Sequence, residues 1–183
     1  MSALFLKALH LVCLSDDERP HLALIGIENG NATASNGDLV LRVNLRQHSQ
    51  LQPETIDNMD GKFIHMEVWK DIHKAERIWV DDNGNLNADV NDVTKTYQFS
   101  EPRDLFPSFN TTIADLKAAK EGALKKFGVN QKLLNICAKV FGNNDLFIHF
   151  HTGGSVLVHC NDEFMFAIIT KKDADGVNRI IFE

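Results

Sequence analysis

Two periodicities alternate along the chain. Over 38–46, Leu39, Leu41, Val43 and Leu45 fall on one side while Val40, Arg42, Asn44 and Arg46 fall on the other, the two-residue repeat of a half-buried strand. Asn29-Gly30 and Asn36-Gly37 punctuate the approach to it as turn signals. Upstream, Ser2 is suited to cap a first helix in which Leu4, Ala8 and Leu11 or Val12 share a face. The polar stretch 47–58 reads as a connecting loop. The same grammar then recurs. Val68, Ile72, Ala75 and Trp79 at helical spacing predict a helix over 66–77, followed by strands over 78–81, 86–90 and 93–99 with Asn83-Gly84 at a turn. A third round opens at Asn130 as a cap, runs its stripe through Leu133, Leu134, Cys137 and Val140, and stops at Gly142. Strands over 146–151, 156–160, 164–170 and 178–182 follow, with 152–155 as a hairpin turn. Between the second and third rounds, Ile113, Leu116, Ala123, Leu124 and Phe127 predict an extra helix over 113–127. The chain therefore reads as three units of helix plus antiparallel strands, an α+β layered architecture.

Composition narrows the class. With 183 residues, 44% of them hydrophobic and 24% charged, the chain is long enough to bury a sizeable core and has an ordinary globular balance. No apolar run approaches the ~20 residues of a membrane helix. The apolar segment 1–14 lacks a basic leader and a small-residue cleavage site, so no signal peptide is expected. Cys13, Cys137 and Cys160 are sparse and far apart, which points to a reducing, cytoplasmic setting. The net charge of −6 means that any nucleic-acid contact must come from local basic patches.

No catalytic constellation stands out. Asp16-Asp17-Glu18 and Asp81-Asp82 have no partnered nucleophile, and neither a phosphate-binding Gly-rich loop nor a nucleophile elbow occurs. Cys137 sits on an apolar stripe and reads as core. His149 and His151 project to one face of a strand with His159 across the hairpin, a set able to bind zinc. No carboxylate or cysteine completes it, and Cys160 faces away from His159, so half-exposed strand histidines are the favoured reading. Neither a metal nor a cofactor nor an enzymatic activity is expected. Basic residues gather on the predicted helices: Lys70, Lys74 and Arg77 opposite Val68, Ile72 and Ala75, then Lys132 and Lys139, then Lys7. Lys117, Lys120, Lys125 and Lys126 decorate the extra helix. Taken alone, such faces read as solvated.

Local motifs carry a resemblance. Ser15-Asp16-Asp17-Glu18-Arg19-Pro20-His21-Leu22 before Ile25-Gly26-Ile27, then Ala34-Ser35-Asn36-Gly37-Asp38-Leu39, Leu105-Phe106-Pro107-Ser108-Phe109, Phe127-Gly128-Val129-Asn130 to Leu134, and Phe166-Ala167-Ile168-Ile169-Thr170-Lys171-Lys172 stand in order along the chain. This series resembles the bacterial DNA polymerase III beta sliding-clamp family, from its middle domain through the second half of its last. Asp38-Leu39 replaces a family His-Arg and Thr170 a family Pro. The resemblance implies a sliding-clamp (DNA clamp) fold with a complete clamp-like domain over 1–113, a connecting helix over 114–128 and a half domain over 129–183. It implies a non-enzymatic processivity factor, of phage or mobile-element type, that encircles double-stranded DNA as a ring-shaped homo-oligomer. Three units per chain and twelve per clamp ring make that ring a head-to-tail tetramer. Lys7, Lys70, Lys74, Arg77, Lys132 and Lys139 would meet phosphates without reading bases. Leu22, Gly37, Pro107, Thr112, Val156, Ile169 and Thr170 would line a groove for short peptide motifs of a DNA polymerase or of other replication and repair proteins. The alternative is a clamp-derived interaction module that binds a replication protein without encircling DNA.

Overall fold

In a computed structural model, residues 6–15, 17–101, 129–142, 145–150, 156–159 and 165–169 are described. The central strand β3 (Leu39–Asn44) keeps the alternation expected of it: Leu39, Leu41 and Val43 are wholly buried on one face, with Arg42 and Asn44 half-buried on the other. Strands β1 (Leu24–Glu28) and β2 (Asn31–Ser35) form a hairpin with it. Asn29 and Gly30 link β1 to β2 with φ of 52° and 71°, the two left-handed residues of a tight hairpin turn. On the other side of β3 stands β10 (Met165–Ile169), then β9 (Val156–His159) and β8 (Phe147–Phe150). With β4 (Phe63–His65) beyond β1, the result is a seven-stranded antiparallel sheet ordered β4-β1-β2-β3-β10-β9-β8. Register lines up Ala34, Leu41, Ala167, Val158 and Ile148 across five strands on the buried face. The two alanines leave room there for helices to approach.

That face is covered by Leu6, Leu9 and Val12 of the N-terminal segment, by α3 (Met66–Ile72) and by α4 (Gln131–Phe141). A second antiparallel sheet, β5 (Arg77–Val80), β6 (Leu86–Val90) and β7 (Val93–Tyr97), adds Ile78, Leu86 and Ala88 to the same core. Helix α3 touches both sheets, β1 and β4 of one and β6 of the other. Its Trp69 is 0% exposed, and the indole N–H donates to the Lys7 carbonyl over 2.8 Å, so burial leaves no donor unmet. The Leu6 N–H in turn donates to the His73 carbonyl over 3.1 Å.

Several expectations hold. Asn130 caps α4 by accepting the Lys132 N–H, and Gly142 ends it at a φ of 84°. Leu133, Cys137 and Val140 are buried, while Leu134 is only partly so and Phe141 takes its place in the core. Strand β6 spans the expected residues.

Others need correction. The helix expected over 66–77 stops at Ile72, because Arg77–Val80 pairs with β6, Arg77 opposite Asp89. Trp79 is thereby a strand residue. The supposed loop 47–58 holds two short helices, α1 (Leu45–His48) and α2 (Pro53–Asn58). Asn44 caps the first, and Pro53 opens the second at the position where a missing N–H costs nothing. The first helix appears among the described residues only as a 3-10 turn, Leu9–Leu11, with Val12 buried and Leu11 exposed. Ser2, Leu4, the helix over 113–127, the turn over 152–155 and the strand over 178–182 lie outside the described residues.

Trp69→Ala should cost about 3–5 kcal/mol in chemical unfolding, the range for emptying a large aromatic site. Lys132→Ala, on the exposed face of α4, should stay within about 0.5 kcal/mol of the unsubstituted protein in the same assay.

Candidate nucleic-acid and partner surfaces

The helical layer lies on one side of the seven-stranded sheet and carries most of the predicted basic residues. Lys70 is exposed on α3 and Lys74 just beyond its end, Lys132 and Lys139 are exposed on α4, and Lys7 is half-buried in the segment ahead of the 3-10 turn. That turn touches both α3 and α4, so Lys7 belongs to the strip of chain between the two helices. Lys70 has an acidic neighbour, Glu67, at 3.2 Å, both side chains about 60% exposed. Such a pair is worth little in water and opens readily toward another anion.

Arg77 does not share this face with Lys70 and Lys74, as helical spacing had suggested. It starts β5, and its guanidinium carbon lies 4.8 Å above the Trp79 ring, a cation–π contact. Both line a depression of about 430 Å³ with Gln50, Glu54, Asn58 and Val80. A second depression, about 660 Å³, is polar and includes Asp17, His21, His65 and Glu101. Neither left a mark in the sequence, since each joins residues from separate elements.

Two features set the electrostatics behind the helical face. Asp71 of α3 accepts from Lys95 over 2.8 and 3.1 Å and from the Tyr97 hydroxyl, which ties the helix to β7. These bonds hold its carboxyl below the usual range, while burial and the Asp71 bond push the Tyr97 phenol up. The second feature is a histidine pair. His10 and His73 pack with ring centroids 4.7 Å apart and planes at 53°. The His73 Nδ1–H donates to the Lys70 carbonyl over 2.8 Å, whereas His10 Nδ1 is buried without a hydrogen-bond partner. Burial first, then His73, Lys70 and Lys74, lower His10 to about 4, against a smaller opposing pull from Glu67. Both rings are therefore uncharged at neutral pH and add nothing to the positive face. Sixty-odd residues separate them, so no local pattern could have revealed the contact.

The predicted groove residues divide into two neighbouring pairs. A Cβ at Gly37 would sit 4.0 Å from the Leu22 side chain, so these two are adjacent. Ile169 pairs with Val156 on β9 and with Leu39 on β3, two residues beyond Gly37. Leu22, Val156 and Ile169 are almost wholly buried, and Gly37 is exposed. Leu39, the departure from the family's Arg, is 0% exposed, which accounts for an apolar residue there. Pro107, Thr112 and Thr170 lie outside the described residues.

Of the histidine set, His149 and His159 do meet: their Nε2 atoms are 2.8 Å apart. His151 and Cys160 lie outside the described residues. Among the described residues no group of three His, Cys, Asp or Glu side chains is placed to hold a metal ion. Burial raises the Cys137 thiol to about 12, in keeping with a core residue rather than a nucleophile.

No family model matches the chain, and no curated protein matches it. Among solved structures it is similar to the DNA polymerase sliding clamp from Pseudomonas aeruginosa, with a TM-score of 0.45 and 11% identity. The superposition covers 92% of this chain and 64% of that one, so the chain spans less than two thirds of that clamp's length. A likeness at that level carries no argument by itself.

The His10–His73 contact should make folding acid-sensitive. The folded form takes up a proton at His10 only near pH 4, the unfolded chain near the ordinary 6.5, so stability should fall as pH drops through that window and level off below it. Melting temperatures measured across this range should show a flatter profile for His10→Gln. Superimposable profiles would place the acid sensitivity elsewhere.

Proposed function

We propose that the protein is a clamp-type scaffold that associates with duplex DNA through its helical layer and tethers replication or repair proteins. The observation that carries this reading is the placement of Lys7, Lys70, Lys74, Lys132 and Lys139 on one helical layer backed by a continuous antiparallel sheet. Lysines so placed neutralise phosphates without reading sequence, as sliding requires. The motif series quoted above adds the family resemblance. Arg77 contributes from the neighbouring strand β5 rather than from the helix. On this reading the chain divides into a clamp-like domain over 1–113, a connecting helix over 114–128 and a half domain over 129–183. The peptide groove is built from Leu22, Gly37, Pro107, Thr112, Val156, Ile169 and Thr170.

A single chain of 183 residues, with an expected radius of gyration of about 16 Å, is too compact to surround a duplex. Encirclement therefore needs several copies, head to tail, with edge strands pairing across each junction. A cyclic tetramer gives the twelve helix-plus-strands units of a clamp ring. The second reading, an interaction module that binds a replication protein without enclosing DNA, is favoured by Asp38 and Leu39, which alter the groove that clamps offer to partner peptides.

Light scattering should give a mass of four chains, and the protein should stay on closed circular plasmid but run off the same plasmid once linearised. Lys132→Glu with Lys139→Glu should weaken retention and flatten its dependence on salt, each lost phosphate contact removing about 0.9 from the slope. A monomer that shows no preference for circular DNA would favour the interaction module.

A further inference from the structure

We infer that His149 and His159 form a binding site for a divalent transition-metal ion of tetragonal geometry, built across the β8–β9 pair. The inference is independent of the clamp reading. In the antiparallel register Phe147 lies opposite His159, and His149 lies opposite Leu157, so the histidines are diagonal neighbours on one face. That face is the one turned away from the main core, because the alternate residues Ile148 and Val158 pack into it. Val158 is 0% exposed, which fixes the backbone from which His159 projects.

The rings approach with centroids 4.9 Å apart, planes at 18° and Nε2 atoms 2.8 Å apart. Phe147 stacks against His159 with centroids 5.5 Å apart, limiting where that imidazole can swing. Two like nitrogens at this distance share one proton: one Nε2–H donates, the other Nε2 accepts. When the donor ring carries its proton on Nδ1 instead, both Nε2 lone pairs become available and both imidazoles are neutral ligands.

The spacing then selects a geometry. With metal–nitrogen bonds of about 2.0–2.1 Å, two ligands at a right angle stand about 2.9 Å apart, at a tetrahedral angle about 3.4 Å, and opposite each other about 4.1 Å. The observed 2.8 Å matches adjacent positions of a square or tetragonal ion, the preference of Cu(II) and Ni(II) rather than of zinc. Only a turn of each ring is needed to aim the lone pairs at a common point. Both histidines are half-buried, so water can fill the remaining positions. A bound ion would staple β8, the last strand of the sheet, to β9.

Cu2+ titrated into metal-free protein lacking any histidine tag tests this. Expected are one saturable equivalent and an electron paramagnetic resonance spectrum of tetragonal form with coupling to two imidazole nitrogens. His149→Gln and His159→Gln should each lose the two-nitrogen pattern and weaken binding by at least about tenfold, while His65→Gln should leave both unchanged. Paramagnetic broadening of amide resonances in the unsubstituted protein, which depends on no variant folding, should be confined to β8, β9 and their immediate neighbours. Broadening centred elsewhere, retention of the two-nitrogen spectrum in either variant, or failure of the unsubstituted protein to bind Cu2+ would overturn the assignment.

Discussion

Everything described here is organised around β3. It pairs with β2 on one side and with β10 on the other, and Ala167 sits opposite Leu41, more than a hundred residues away in sequence. Closing so long a loop carries a real entropic cost, and the return must come from apolar burial along the shared face. Leu39, Leu41 and Val43 supply it together with Met165, Ala167 and Ile169, each at most 4% exposed. Without this pairing α4 would have no sheet to cover, since its contacts run to β10 and to the N-terminal turn. The same joint holds two groove residues, because Ile169 bridges Val156 and Leu39.

How much of this was legible depended on whether the deciding forces were local. Strand β3 announces itself by alternation, and α4 by a cap, a stripe and a terminal glycine, all within a few residues of one another. The end of α3 is different. Helical spacing continues through Ala75 and Trp79, and only the competing partner β6 claims Arg77–Val80 for a sheet. Helix α2 was hidden for the opposite reason: a six-residue element buries only Thr55 and Ile56, too few positions to show a period. The candidate surface was legible in the same uneven way. Lysines on exposed helix faces follow from spacing, whereas Arg77 moved off the face when its helix ended early.

Charge on the helical side is moderated from within. Glu67 stands beside Lys70, Asp71 is committed to Lys95 and Tyr97, and His10 with His73 is kept neutral by burial. A face arranged in this way offers isolated positive charges rather than a strong continuous field. Weak, evenly spread attraction suits a protein held on DNA by topology, where tight contact would oppose movement along the duplex. It suits equally a module whose affinity lies in a peptide groove and whose basic residues only assist.

These two uses make different demands on the sheet's ends. Strand β8 is terminal among the described residues and presents Phe147, 43% exposed, next to the His149–His159 contact. Strand β4, at the other end, has three residues and offers little edge to pair. A head-to-tail ring joins unlike ends, so the short β4 would have to receive a longer partner, or the second sheet, β5 to β7, would have to serve instead. An interaction module faces no such requirement and needs only that β8 be prevented from pairing at random. A metal-stapled β8 would be stiffer and less free to adapt to a neighbouring edge. Occupancy of the histidine site and closure of a ring through β8 therefore draw on the same strand, and the state of that strand bears on both readings.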